Sequence, residues 1–253
     1  MPFSPAHPAA VLPLTRWCPK YLSFPALVIG ALTPDIGYLF DIEEFCHSWL
    51  GSLVFCLPVG SVLIGLFYAV RMPLVTLLPP THRQALQPLC ARRHGAWGNL
   101  VFSLLIGAWT HLLWDSFTHE DGWLVLHLSL LRQPLASMGG HELKLCRGLW
   151  LLSSVLGVIL LTVRYLSWLK QVKSSAPLGA AKEWRHYLSW ATILLIVTVI
   201  AAALNVHQLK GEESVYEFYN FIHDSLAAFL VITGLLLIVV GFILRAIRSK
   251  SRR

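Results

Sequence analysis

Apolar residues cluster into five long runs, near 48–70, 97–115, 148–169, 187–206 and 222–244. A helix needs about 20 predominantly apolar residues to cross a bilayer, so each run predicts a full membrane span. A sixth, weaker run near 21–40 carries Pro25, Pro34 and Asp35 and predicts an irregular segment. Upstream of it, His7 to Arg16 is short and apolar, and Pro8 suits a first helical turn. Arg16 to Lys20 would be its basic turn. A simple tail would leave His7 in the cytoplasm, whereas a re-entrant hairpin would return it to the level of Asp35. The predicted fold class is all-α: a polytopic membrane helical bundle of about five full spans plus an irregular N-terminal helical hairpin. One integral membrane domain over 1–253 is the economical reading, with a motif-bearing half at 1–125 and a helical remainder at 126–253. There is no internal repeat and no low-complexity tract.

Composition agrees. Hydrophobic residues make up 56% of the chain and charged residues 13%, against roughly 25% charged in soluble domains. Mean hydropathy is +0.63. Basic residues collect at Arg71, Arg83, Arg92 and Arg93, at Lys170, Lys173, Lys182 and Arg185, and at Arg245 to Arg253. The positive-inside rule makes these segments cytoplasmic. The intervening loops are more acidic, with Asp41, Glu43 and Glu44 in one and Glu212, Glu213 and Glu217 in another. The net charge of +7 therefore fixes topology and calls for no nucleic acid. The N-terminal stretch is broken by prolines and lacks a clear small-residue cleavage site, so it does not read as a signal peptide.

Chemistry concentrates at one end of the second full span. In His111-Leu-Leu-Trp-Asp115-Ser-Phe-Thr-His119, His111 and Asp115 share a helical face one turn apart. His119 would continue that face if the helix persisted. Ionisable groups inside an apolar span are expensive and have a partner or a task. Imidazole and carboxylate are also ligands of zinc, manganese and non-haem iron. His111 lies about 6 Å below the end of its span, and Asp35 about 8 Å from the end of the 21–40 segment. Thr33-Pro34-Asp35-Ile36-Gly37 breaks a helix at membrane depth, which is tolerated where the backbone is buried or lines a cavity. Asp35, His47, His111 and Asp115 can then converge at one level. Most of the 11 histidines, including His47, His111, His119, His127, His141, His207 and His223, fall towards the outer ends of the spans.

Plainer roles compete. A lone histidine such as His47 often bonds a neighbouring helix. Asp41, Glu43 and Glu44 read as a solvated loop face, and His141-Glu142 as loop structure. His223-Asp224 reads as a helix cap. Trp49, Trp97, Trp150 and Trp190 mark interfacial belts. The five cysteines show no Cys-x-x-Cys spacing. Cys46 and Cys146 both fall on the outer side, where a disulfide is allowed, and spacing does not decide whether they meet.

The ordered motifs carry a resemblance. Met1-Pro-Phe-Ser-Pro-Ala-His7-Pro, Gly30-Ala-Leu-Thr-Pro34-Asp35, His47-Ser48 and His111-x-x-x-Asp115-x-x-Thr118-His119-Glu-Asp-Gly122 resemble an uncharacterised bacterial multi-pass membrane family, a domain of unknown function. That family looks distantly related to the LexA-binding, inner-membrane proteins classed as metal-dependent hydrolases, which share an early His, a Pro-Asp, a His-Ser and a His-x-x-x-Asp-x-x-Thr. The likeness covers roughly the first 125 residues. Here Thr118 is followed by His119 and Glu120, and the glycine comes one residue later, so the coordination shell differs.

The residues and the resemblance together give a membrane-embedded metal-dependent hydrolase acting at the outer face on an amphiphilic, lipid-like ester or phosphoester. His7, Asp35, His111 and Asp115 are the expected metal ligands, with His47 and His119 as ligand, base or outer support. Zinc is the expected metal, with manganese or iron as substitutes. No serine nucleophile elbow or phosphate-binding glycine loop is present. The alternative readings are a transporter or permease, which the missing inverted repeat disfavours, and a non-catalytic membrane assembly protein. The expected location is a bacterial inner membrane with a cytoplasmic C-terminus, the lipid bilayer being the partner.

Overall fold

The computed structural model describes residues 4–138, 141–172, 180–208 and 215–250. It is nearly all helical. In chain order come a 3-10 helix Ser4–Trp17, α1 Phe24–Gly30, a 3-10 turn Pro34–Phe40, α2 Glu43–Cys46, α3 Trp49–Gly51, a π-helical segment Ser52–Cys56 and α4 Leu57–Val75. Then follow α5 Pro80–Ala91, α6 Trp97–Thr118, α7 Trp123–His127, strands β1 Pro134–Met138 and β2 His141–Lys144, α8 Leu145–Gln171, α9 Ala180–Asn205 and α10 Val215–Lys250. Among the described residues, five helical stretches are long and apolar enough to cross a membrane: Trp49–Val75, Trp97–His127, Leu145–Gln171, Trp184–Asn205 and Asp224–Lys250. They correspond to the five apolar runs of the sequence.

The chain forms two compact units, Met1–Gly65 with Arg93–Gln171, and Leu66–Arg92 with Val172–Arg253. In the first, the Ser4–Trp17 helix and α1 make a hairpin. Its core is Val11, Leu22, Leu27 and Ala31, joined by Ile106 of α6. The basic turn of the hairpin carries Arg16 over the Trp17 ring and Lys20 over the Tyr21 ring. Asn99 at the start of α6 donates to the Lys20 carbonyl at 3.3 Å. The hairpin tip therefore lies beside the start of α6, and its open end faces the end of α6 that carries His111 and Asp115.

Glycine makes the contact between α1 and α6 close. A Cβ on Gly30 would sit 2.2 Å from the Leu104 carbonyl oxygen, and one on Gly107 would sit 2.3 Å from the Leu27 carbonyl oxygen. Small residues allow such backbone approach where lipid offers no hydrophobic drive between helices. The Ser103 hydroxyl adds a link by accepting from the Ser23 amide at 2.8 Å. On α8 the residues Leu151, Leu152, Val155, Leu156 and Ile159 are exposed, as expected of a face that meets lipid instead of water.

In the second unit, basic residues of α10 reach the end of α4. Arg248 donates to the Thr76 hydroxyl at 2.8 Å and Arg245 to the Ala69 carbonyl at 3.4 Å. The Trp190 indole donates to the Leu77 carbonyl at 3.2 Å.

The break expected within 21–40 is present, and two other local features depart from the sequence reading. The 21–40 run is not one helix: α1 stops at Gly30, and Pro34, which lacks an amide proton, opens a separate turn. β1 and β2 pair antiparallel within the loop 116–147. His223-Asp224 lies inside α10, about two turns beyond its start, and not at a helix end. Cys46 and Cys146 are both buried free thiols. Glu212 and Glu213 lie outside the described residues.

If the α1–α6 approach holds this unit together, Gly107→Val will lower the thermal midpoint of the detergent-solubilised protein, at a cost of about 1–3 kcal/mol for overpacking. Gly65→Val, where nothing lies within 4 Å of an added Cβ, will leave it near wild type. Differential scanning fluorimetry of the two variants reads the difference.

Candidate metal centre

Four side chains from three elements meet at the end of α6. Asp35 comes from the first turn of Pro34–Phe40, His47 from the residue that caps α2, and His111 and Asp115 from successive turns of α6. One ligand atom from each lies within 4.8 Å of all the others. Asp35, His111 and Asp115 are buried, and His47 is partly so. These four residues could hold a metal ion.

Backbone carbonyls orient both imidazoles. His111 Nδ1 lies 2.8 Å from the Ala31 carbonyl oxygen, and His47 Nδ1 lies 2.8 Å from the Glu43 carbonyl oxygen. A carbonyl only accepts, so each Nδ1 carries the proton and donates it. In the neutral ring the lone pair is then on Nε2. The two Nε2 atoms face one another at 3.2 Å. Two neutral rings in these tautomers have no proton to share at that contact, so their lone pairs oppose. A cation between them removes the conflict. Two nitrogens each about 2.0–2.1 Å from a tetrahedral zinc stand about 3.3–3.4 Å apart, close to the observed separation. Anchoring of a ligand histidine through its other nitrogen is the usual outer support of a metal site.

The carboxylates complete the donor set. Asp115 Oδ2 lies 3.1 Å from His111 Nε2 and 3.4 Å from His47 Nε2. Asp35 Oδ1 lies 3.5 Å from His111 Nε2 and 3.7 Å from His47 Nε2. All four carboxylate oxygens are buried, and none makes a well-aligned hydrogen bond. Buried anionic oxygens left in this way are costly, and ligation would satisfy them. Two imidazoles with two carboxylates suit zinc, manganese or iron.

His7 and His119 stand at the margin. The His7 ring stacks on His111 with centroids 3.7 Å apart, and its Nε2 lies 3.6 Å from Asp115 Oδ1. Both His7 nitrogens are buried without a hydrogen-bond partner. α6 ends at Thr118, so His119 leaves the helix in extended conformation instead of continuing its face. Its Nδ1 still lies 3.6 Å from Asp115 Oδ1, and its Nε2 has no hydrogen-bond partner. The structure thus brings all six sequence-predicted residues to one place. It puts His47 among the four converging donors and leaves His7 against the outer side of His111.

Several contributors left no signal in side-chain identity. The Ala31 and Glu43 carbonyls act through the backbone. Tyr38 lies one 3-10 turn beyond Asp35 and presents its ring edge-on to His47, centroids 5.8 Å apart. Ser48 accepts from the Gly51 amide at 2.9 Å and so caps α3. The π-helical Ser52–Cys56 follows at once, and π segments recur at functional sites. Ser52 accepts from the Trp109 indole at 3.1 Å, which ties this irregular entry to α6.

No curated protein and no solved structure matches the chain. One family does, over residues 1–247, described as a domain of unknown function. With the whole of the Asp35, His47, His111 and Asp115 cluster inside that match, the chain belongs to the domain of unknown function family DUF4184.

Proposed function

We propose that the protein is a membrane-embedded, metal-dependent hydrolase of an amphiphilic ester or phosphoester. The observation that carries the reading is the pair of opposed Nε2 atoms of His47 and His111, each imidazole locked by its own backbone carbonyl, with two buried carboxylates beside them. Asp35, His47, His111 and Asp115 are the proposed ligands. A bound divalent ion would activate water and polarise the substrate oxygen.

A closed structural site needs no spare bases, whereas a hydrolytic one does. His7 and His119 supply them. Each lies 3.6 Å from Asp115 Oδ1, and each has a nitrogen without a hydrogen-bond partner. In the proposed reaction one of them takes a proton from the attacking water as the new oxygen–carbon or oxygen–phosphorus bond forms. The same proton passes to the leaving oxygen as the scissile bond breaks. His7 thereby moves from the ligand role expected from sequence to a base, and His47 takes a ligand position. The proposed setting is a bacterial inner membrane, with the cluster towards the outer face and the C-terminus in the cytoplasm.

Metal analysis of detergent-purified protein tests the centre. Wild type should retain stoichiometric metal, His111→Ala and Asp35→Ala should each lose most of it, and Asp115→Asn should hold it more weakly. His7→Ala should keep the metal while hydrolysis of a long-chain nitrophenyl ester or phosphodiester falls about 10²–10⁴-fold. The reading fails if wild type carries no stoichiometric metal and the double variant His111→Leu, Asp115→Leu is tolerated better than either single one.

Topology has its own test. Reporter fusions at Arg92 and Lys173 should both give a cytoplasmic signal. An external signal at either position overturns the orientation.

A further inference from the structure

A cavity of about 620 Å³ lies against the cluster, walled by the Ser4–Trp17 helix, α6 and α8. Its size falls within the range of about 300–1,000 Å³ typical of small-molecule sites. Ala10, Pro13, Leu113, Trp114, Leu152 and Leu156 give it an almost wholly apolar lining. It follows α8 from Leu149 to Leu160, a run of about 16 Å at 1.5 Å per residue.

Its few polar groups are committed elsewhere, with one exception. Thr110 donates to the Gly107 carbonyl at 2.7 Å. Ser153 accepts from the Trp114 indole at 3.2 Å and donates to the Trp150 carbonyl at 3.1 Å. His7 remains. It is 4% exposed, neither ring nitrogen has a hydrogen-bond partner, and it lines the cavity on one side while stacking on His111 on the other.

The cavity opens towards lipid. Leu113, Leu152 and Leu156 on its rim are 63%, 55% and 53% exposed, and they belong to spans whose outward faces meet hydrocarbon. Its inner wall is closed. α8 approaches the N-terminal helix at Gly157, where a Cβ would lie 2.9 Å from Ala6 Cβ. An occupant therefore enters sideways from the bilayer and finds a polar group only at His7.

We propose that this cavity seats one hydrocarbon chain of a bilayer amphiphile, with the start of its polar head at His7. This rests on the hydrolase reading for what happens to the head, but not for the binding of the chain. The geometry selects an extended, flexible chain. A polar or charged ligand would strip its own hydration against leucine and tryptophan with nothing but His7 to replace it.

The probe for the test is a long-chain monoalkyl phosphate with a diazirine midway along the chain, photolysed on the purified full-length protein in mild detergent and mapped by peptide mass spectrometry. Label should concentrate on Leu113–Phe117 and Leu149–Leu160. Ala10→Phe and Leu152→Trp, two independent ways of filling the cavity, should each cut that label at least fivefold. Label on the exposed Leu53, Val54 and Val62 of the Leu53–Val62 stretch, which reports ordinary lipid contact, should not change. Val62→Phe serves as the control for a bulky substitution elsewhere. Cavity label that equals the Leu53–Val62 background, or that survives both filling variants in correctly folded protein, overturns the proposal. Metal content is read in the same samples. Cavity-specific label without stoichiometric metal would sustain the chain site while the hydrolase reading falls, and the reverse result would do the opposite.

Discussion

The hydrogen bond from His111 to the Ala31 carbonyl is the contact on which the rest of the site depends. It requires the backbone of α1 to lie almost against α6, and that approach exists because Gly30 and Gly107 present no side chains between the helices. Once the Ala31 carbonyl is within 2.8 Å, the His111 tautomer is set and Nε2 points at His47 and the two carboxylates. A helix that sat even a methyl group further off would leave His111 free to choose either tautomer, and the four donors would not share a focus. The packing of two short apolar surfaces thus decides the chemistry of an imidazole.

The cluster is also an electrostatic problem. Asp35 and Asp115 bring two carboxylates to a place almost without solvent, and the imidazoles of His47 and His111 turn their Nε2 atoms towards them. Removing one partner from such a set leaves an uncompensated buried charge, which costs more than removing the whole set. Two polar side chains nearby are spent on local bonds. Thr33 donates to the Gly30 carbonyl at 2.7 Å and Thr118 to the Trp114 carbonyl at 3.1 Å. Neither competes for the carboxylates.

Much of this architecture was legible from the chain alone. Apolar runs of bilayer length locate five helices, because length and hydropathy are the dominant constraint on a span. The four-residue spacing of His111 and Asp115 places both on one face, which the regularity of α6 realises. Other features depend on distant partners or on backbone. Pro34 signals a break in 21–40, but the direction in which the chain leaves is set by contacts such as Gly37, where a Cβ would lie 2.7 Å from Cys46 Sγ. The π-helical entry at Ser52–Cys56 has no motif to announce it. The convergence of His47 with Asp35, His111 and Asp115 was legible from the sequence, but its role as ligand, base or support was open, and the orientation of its ring is set by the Glu43 carbonyl. The cavity is invisible in sequence because its walls come from three segments with unremarkable apolar composition.

The sequence separation of the central contact has a consequence for biogenesis. Ala31 and His111 are 80 residues apart, so at about 5–20 residues per second the ribosome needs about 4–16 s to make the second after the first. Through that interval Asp35 has no imidazole from α6, and the hairpin has no glycine-lined helix to lie against. Burying the carboxylate in hydrocarbon without the α6 imidazole is costly. The N-terminal hairpin must therefore wait at the aqueous edge of the membrane, or against the insertion machinery, until α6 arrives. The helix that is inserted later is the one that draws the earlier segment in. Loading of any ion into the cluster belongs after that step, when the nascent protein already has two of its spans in place.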